Sequence, residues 1–395
     1  MITPAYSLTA VERVLPKLFL DFTTGVLDSR VTVTRALDTA TRVNSSGLIE
    51  TVNADLPRFD YSFTNVGTPL GLLIEESRTN LLTYSNDLRS TSEAGSTRAW
   101  AQAFGALTVT ANDGIGPDGQ NSASKFSFTA SDYAGRKQSV TLAASTPYTF
   151  SIWVKRISGS GSGWIEIIGS GVIGSAFAAF TATSDWTRVS VSGTTTGAGT
   201  AEVYIYPEYD TNRTGEYLFW GAQLETGSFA TSNILTTTTS VTRNADVVTM
   251  TGTNFSDWYN ATEGTFIGVY QNTSNDLNAL LSCSDGTTGN YMQLAEASAS
   301  VLRLLVLTSS SIQVNSIVAT SSGNVPCGFT YKENSFNLAA NATLGTRDTV
   351  ATVPTVDRMD IGFLRQTGGY TNGTISSIRY YPLQLTDAEI RAFTK

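Results

Sequence analysis

The side chains able to do chemistry in this sequence are mainly aromatic rings and carboxylates set at strand spacing. In FSIWVKR, alternation at period two puts Phe150, Ile152 and Val154 on one face and Trp153 and Lys155 on the other. In EVYIYPEY, Val203 and Ile205 share the apolar face, while Glu202, Tyr204 and Tyr206 point away. In YLFWGAQLE, Leu218, Trp220, Ala222 and Leu224 read as core, and Tyr217, Phe219 and Gln223 lie opposite. If these strands neighbour each other in one sheet, Trp153, Lys155, Glu202, Tyr204, Tyr206 and Gln223 line a shared outer face. Aromatic faces stack on the apolar faces of pyranose rings, and planar polar groups pair with hydroxyls. Such a face suits a sugar. The same residue types also serve packing against another section or a sister subunit.

Catalytic chemistry has less to stand on. The chain has no His, which removes Ser-His-Asp triads, Cys-His dyads and His-ligated metals. Glycan cleavage needs two carboxylates about 5–10 Å apart. Glu75 and Glu76 are adjacent, so a strand would turn them to opposite faces, and Arg78 stands near as an ion-pair partner. Asp276, Asp285 and Glu296 have no spacing that forces them together. No enzyme activity is expected. No cofactor is expected either. A Ca²⁺ ion stays open, because Asp and Asn are common in the loops, but the DxDxDG pattern is absent and no ligands are assigned.

The elements that must position these residues are strands. The 395 residues include 34 Gly and 15% charged residues, with a net charge of −8. The charged share is low against a usual share of about 25%, while Ser and Thr make up about a quarter of the chain. The acidic balance argues against nucleic acid. No apolar run reaches the roughly 18 residues of a membrane span, so no membrane insertion is expected. The start carries Glu12, Arg13, Pro16 and Lys17 where a signal peptide needs an apolar core, so synthesis in a cytoplasm without export is expected. Cys283 and Cys327 cannot form a disulfide framework; they could pair with each other, though each reads as a buried thiol.

Period-two runs at 31–37, 125–130, 148–157, 187–193 and 201–209 predict strands, separated by Asp-Gly and Gly/Ser turns. The segment 385–393 predicts a helix, capped by Thr386 with Glu389 three residues later. The fold class is therefore all-β: tandem antiparallel β-sandwiches (jelly rolls) after a strand-rich N-terminal section, with a short C-terminal helix. The sections are 1–85, 86–235, a Thr-rich connector at 236–242, and 243–395.

Three groups of phrases resemble a pattern in tailed-phage virion proteins. The first is LDFTTG at 20–25, PRFDY at 57–61 and GLLIEESRTNLLTYSNDL at 71–88. The second is FWGAQLETGSFATSNILT at 219–236 and VTRNADVVTMTG at 241–252. The third is FSDWYNATEGTF at 255–266 with ISSIRYYPLQLTDAEIRAF at 375–393, which looks like the two ends of a concanavalin A-like (laminin-G-like) lectin domain. The middle section is similar to a carbohydrate-binding-module jelly roll. The resemblance implies a virion spike or fibre, on tail or head, that binds host surface polysaccharide for adsorption. It also implies a homotrimer, contacts with other virion proteins, and a place on the virion exterior after assembly in the host cytoplasm. Alternatives are a structural decoration protein without sugar, and a glycan-degrading tailspike.

The N-terminal section, 1–85, then reads as a virion-docking or oligomerisation module. Val11, Val14, Leu15, Leu18 and Phe19 are its contact candidates, with burial beneath its own sandwich as the alternative. Trp258 and Tyr259 read as core anchors. Trp100, Trp164 and Trp186 have no partner legible in sequence.

Overall fold

The structure is a computed structural model, and it describes residues 15–91, 93, 98–129, 133–208, 214–272 and 279–395. The protein is all-β with a short C-terminal helix. It divides into two compact units. The first holds the chain up to Ala36, then Ala54–Glu76 and Ala245–Lys395; the second holds Leu37–Asn53 and Ser77–Asn244. The section 1–85 is thus no body of its own. Its strands are shared out by pairing: Leu18–Asp21 and Pro69–Ile74 both join Gly373–Tyr381 in the first unit, while Arg78–Asn80 pairs Val241–Arg243 in the second. That last pairing also takes in the end of the Thr-rich stretch.

The first unit is a sandwich of an eight-stranded and a seven-stranded antiparallel sheet. Its core interleaves Phe266, Tyr270, Phe329, Ile375 and Ile378 of one sheet with Met250, Leu281, Cys283, Met292 and Leu294 of the other. Trp258 belongs to this core, and Tyr259 packs against it. Leu18 and Leu20 are also core, at 0% and 2% exposure. This corrects Leu18 as a docking candidate, because period two and the pairing to Gly373–Tyr381 turn it inward. Phe19 is 45% exposed under the Arg379 guanidinium, and Leu15 is 83% exposed. Val11 and Val14 lie outside the described residues.

A buried charge cluster holds the first unit's segments. Arg58 pairs with both Glu75 (2.7 Å) and Asp246, and Arg35 pairs with Asp246 at 2.9 Å. All four are 3% exposed or less. Two guanidinium groups meet two carboxylates, so the cluster is neutral. The backbone closes it further: Glu75 N donates to Asp246 Oδ2 at 2.9 Å, and Asp246 N to the Glu75 carbonyl at 3.0 Å. Burial opposes the charge on Arg58, but the two carboxylates overcome it and raise its pKa. Glu75 is therefore structural, with Arg58 as a partner. Arg78 belongs to the second unit, where its guanidinium lies over Phe229.

The second unit is a sandwich of two five-stranded sheets. One contains Pro147–Ser158 and Gly215–Thr226; the other contains Ser162–Gly169, Gly199–Tyr206 and Ala134–Leu142. Phe150, Ile152 and Val154 meet Ile165, Ile167, Val203 and Ile205 in its core, and Trp100 joins them. The predicted face of 217–224 is half reversed. Tyr217 and Phe219 are core, as are Ala222 and Leu224, while Leu218 and Trp220 face outward. A bulge opposite Ile152 inserts one extra residue, and Gly221 takes it at φ 67°. Period two cannot survive an inserted residue, so parity flips there.

The helix Asp387–Phe393 forms as expected. Thr386 N donates to Glu389 Oε2 at 2.8 Å, and Glu389 N donates back to Thr386 Oγ1 at 3.3 Å. Cys283 and Cys327 are free and buried, and burial raises both thiol pKa values. Neither thiol should react with a disulfide reagent at pH 8 until denaturant is added; prompt labelling of the native protein would contradict this packing. Asp246→Ala leaves Arg35 and Arg58 short of their shared carboxylate in a dry interior. It should destabilise the first unit by about 3–5 kcal/mol in urea unfolding.

Candidate functional site

The second unit's two sheets have very different outer faces. On the Trp153 sheet, the face is covered by the unit's own chain. Trp153 Nε1 donates to Asn233 Oδ1 at 2.8 Å, and the residue is 8% exposed. Gln223 Nε2 donates to Glu225 Oε1 at 2.6 Å, and Gln223 Oε1 accepts from Ile234 N at 2.7 Å. Thr41 Oγ1 donates to the Asn233 carbonyl, so the hairpin Ala40–Val43/Ile49–Val52 helps to fix this cover. Further along, Trp220 Nε1 donates to Ser122 Oγ, and Trp186 Nε1 to the Ile115 carbonyl. Trp153 and Gln223 are therefore packing residues, which corrects their placing in a sugar face. Lys155 lies on the same sheet, half-buried beside Leu218.

Glu202, Tyr204 and Tyr206 lie on the other sheet, so the six candidates share no face. Gly199–Tyr206 pairs Ser162–Gly169 and Ala134–Leu142, never the Trp153 strand. Their face is the open one. Register sets Trp164 opposite Tyr206, Glu166 opposite both Tyr204 and Phe177, and Lys137 opposite Tyr204. The inward positions Ile165, Ile167, Val203 and Ile205 are all 0% exposed, which fixes which way the others point.

The rings touch in a row. Phe177 lies 5.8 Å from Trp164, Trp164 meets Tyr206 edge-on at 5.3 Å, and Phe104 stacks on Tyr206 at 6.3 Å. Tyr204 stacks on Tyr206 at 5.5 Å and 6°. Tyr206 is the floor at 5% exposure, whereas Phe177 and Phe104 are 60% and 72% exposed. Beside Tyr206, on Ala134–Leu142, stands Gly135; a Cβ there would come within 2.4 Å of the Ile205 carbonyl. A depression of about 250 Å³ lies beside Trp164, lined by Ser162, Gly163, Trp164, Ala179, Phe180 and Thr181.

A polar line runs beside the rings. Glu202 Oε1 accepts from Lys137 Nζ at 2.9 Å and Ser139 Oγ at 3.2 Å, and Glu202 Oε2 from Tyr204 OH at 2.6 Å. Burial would raise the Glu202 pKa, but these donors win and lower it. The bond to Glu202 raises Lys137 against its own desolvation. Burial, then the bond to Glu202, raises Tyr204; burial, then Tyr204, Glu166 and Glu202, raises Tyr206. At neutral pH the face thus presents ionised Glu202, protonated Lys137 and intact phenols.

Sequence reasoning missed Trp164, Glu166, Phe177, Phe104 and Lys137. The run GWIEII carried the signal for Trp164 and Glu166, since alternation with Ile165 and Ile167 turns both outward. Phe104 ends the strand Ala101–Phe104 on the outward side of Ala103, but its left-handed φ of 57° is not readable from the sequence.

The other carboxylates do not converge. Asp285 is tied to Thr287 and Asn290 in its loop, and Glu296 accepts from Tyr270 OH at 2.8 Å. They sit at opposite ends of the Ala279–Ser284/Tyr291–Ser298 hairpin: Asp285 faces Asn290 and Glu296 lies six residues further on, roughly 20 Å away at about 3.3 Å per residue. Asp276 lies outside the described residues. Among the described residues, no three Asp, Glu or Cys side chains group to hold a metal.

No protein-family model and no curated protein match this chain. Solved structures match parts of it. The Ruminococcus gnavus IT-sialidase CBM40 aligns at 20% identity and TM-score 0.30, over 34% of this chain and 84% of that one. The NanB sialidase from Streptococcus pneumoniae aligns at 14% and 0.31, over 37% of this chain and 26% of its own. The SAP-like pentraxin from Limulus polyphemus aligns at 11% and 0.27, over 34% and 70%.

The geometry around Glu202 gives a direct test. Tyr204→Phe removes one donor to the carboxylate, so the Glu202 pKa should move up toward the ordinary carboxylate range. A carbon-13 titration of the Glu202 carboxyl reads this; an unmoved midpoint would mean that the phenol does not hold it.

Proposed function

We propose that this protein binds host surface polysaccharide through the Trp164–Tyr206 face, as a non-enzymatic spike or fibre protein of a tailed-phage virion. The observation that carries the sugar reading is the open aromatic row with Glu166 and Glu202 beside it. Rings at different depths suit pyranose faces, and Glu166 and Glu202 suit hydroxyl donors. The virion reading rests on the three groups of phrases that resemble tailed-phage spikes. A homotrimer on the virion exterior, assembled in the host cytoplasm, goes with it. Three such faces on one particle would multiply a weak affinity.

Catalysis fits less well. A general acid needs a carboxyl held protonated, and Glu202 is held ionised instead. The decoration-protein reading has one observation in its favour. Arg58, Glu75, Asp246 and Glu225, all within the spike-like phrases, are buried and bonded within the protein and need no ligand to explain them.

The experiment is binding of labelled protein to susceptible host cells and to a mutant lacking surface polysaccharide. Saturable binding that needs the polysaccharide is expected. Trp164→Ala and Tyr204→Ala should each weaken it at least tenfold, about 1.4 kcal/mol, with an unchanged unfolding midpoint. Trp153→Ala should lower the midpoint. No binding from folded protein would favour the decoration protein.

A further inference from the structure

We infer that the glycan taken by the Trp164–Tyr206 face is a neutral polysaccharide, free of carboxylate, sulfate and phosphate groups, and that Glu166 selects for it. This rests on the sugar-binding reading above and names the ligand class of the same face.

The charge arrangement carries it. Among the described residues, the charged groups on this face are Glu166, Glu202 and Lys137 on three neighbouring strands: Glu166 and Lys137 flank Tyr204 in register, and Glu202 lies two residues along from Tyr204. Lys137 is committed to Glu202 at 2.9 Å, so that pair is close to neutral toward a ligand. Glu166 is left as the net charge. It accepts from Ser175 Oγ at 2.6 Å, a neutral donor that leaves its charge in place. A carboxylate offers about four acceptor positions, so Glu166 keeps several for ligand hydroxyls. Glu202, with three donors already, keeps few.

A neutral sugar brings only hydroxyl donors, and a hydroxyl to a carboxylate is a charge-assisted bond. A uronic or sialic acid laid on the same rings would bring a second anion beside Glu166, and among the described residues the one cation on the face, Lys137, is already paired with Glu202. The rejection is built in by like charge rather than by shape. Length points to a polymer. The row from Phe177 to Phe104 crosses five strands in ring-to-ring steps of 5.8, 5.3 and 6.3 Å, a span of up to about 17 Å that suits several consecutive residues better than one terminal sugar.

Affinity electrophoresis of the full chain tests this, with dextran and mannan as neutral probes and polysialic acid and alginate as acidic ones. Retardation by at least one neutral polymer and by neither acidic one is expected. Trp164→Ala should abolish it, and Glu166→Gln should raise the acidic-to-neutral binding ratio at least tenfold. Acidic polymers bound in a manner lost with Trp164→Ala would overturn the neutral selection while leaving the sugar face intact. Retardation by neutral polymers that Trp164→Ala leaves unchanged would overturn both. Glu166→Gln without effect on the ratio would remove Glu166 as the selector. No retardation by any of the four, from folded protein, would sink the inference and the binding reading together.

Discussion

Four buried charges hold the first unit together: Arg35, Arg58, Glu75 and Asp246. Their neutrality as a set lets them sit in a dry interior, where any one alone would be very costly. Their positions in the chain matter as much as their chemistry. The chain passes between the two units after Ala36, Asn53, Glu76 and Asn244. Each member of the cluster lies within five residues of one of these passages. The cluster therefore fastens the first unit's segments close to where each one leaves or enters. This gives a physical reason for charged residues in phrases such as PRFDY, LIEES and RNAD, none of which needs a ligand.

The second unit shows how one sandwich can have a closed side and an open side. Its Trp153 sheet spends Trp153, Trp220 and Gln223 on holding down its own loops and hairpin. Its Trp164 sheet spends Tyr206 as a floor and leaves Phe177 and Phe104 in water. Both faces carry aromatic residues, so ring content alone does not separate packing from recognition. What separates them is where the polar atoms go. On the closed face the indole N–H groups end on Asn233 and Ser122. On the open face Glu202 is held by Lys137, Ser139 and Tyr204, while Glu166 takes one donor, Ser175, and keeps acceptor positions toward solvent.

Much of the architecture was legible in the sequence because alternation and capping are local. The strands through 150, 190 and 203 and the Thr386 cap follow from neighbours a few residues away. The inward set Phe150, Ile152, Val154, Val203 and Ile205 was readable for the same reason. Two things were not. Gly221 hides a bulge that reverses the parity of Leu218 and Trp220, and nothing local marks that glycine as the extra residue. Which strands are neighbours is non-local, so Trp153 and Tyr204 looked like one face and lie on separate sheets. The outward placing of Glu202, Tyr204 and Tyr206 was legible from alternation, while their neighbours across the sheet needed register.

The strand Leu18–Asp21 has its partner in Gly373–Tyr381. About 350 residues separate them, roughly 20–70 s of synthesis at ~5–20 residues per second. On the ribosome, the second unit has its last strand once Arg243 has emerged. The first unit cannot close until the final strand arrives. Meanwhile Leu18 and Leu20 wait without a partner strand, and the strand of Leu72 and Ile74 has only Phe59–Tyr61 beside it. The order of maturation is thus written into the connectivity: the middle of the chain folds first, and its two ends find each other last.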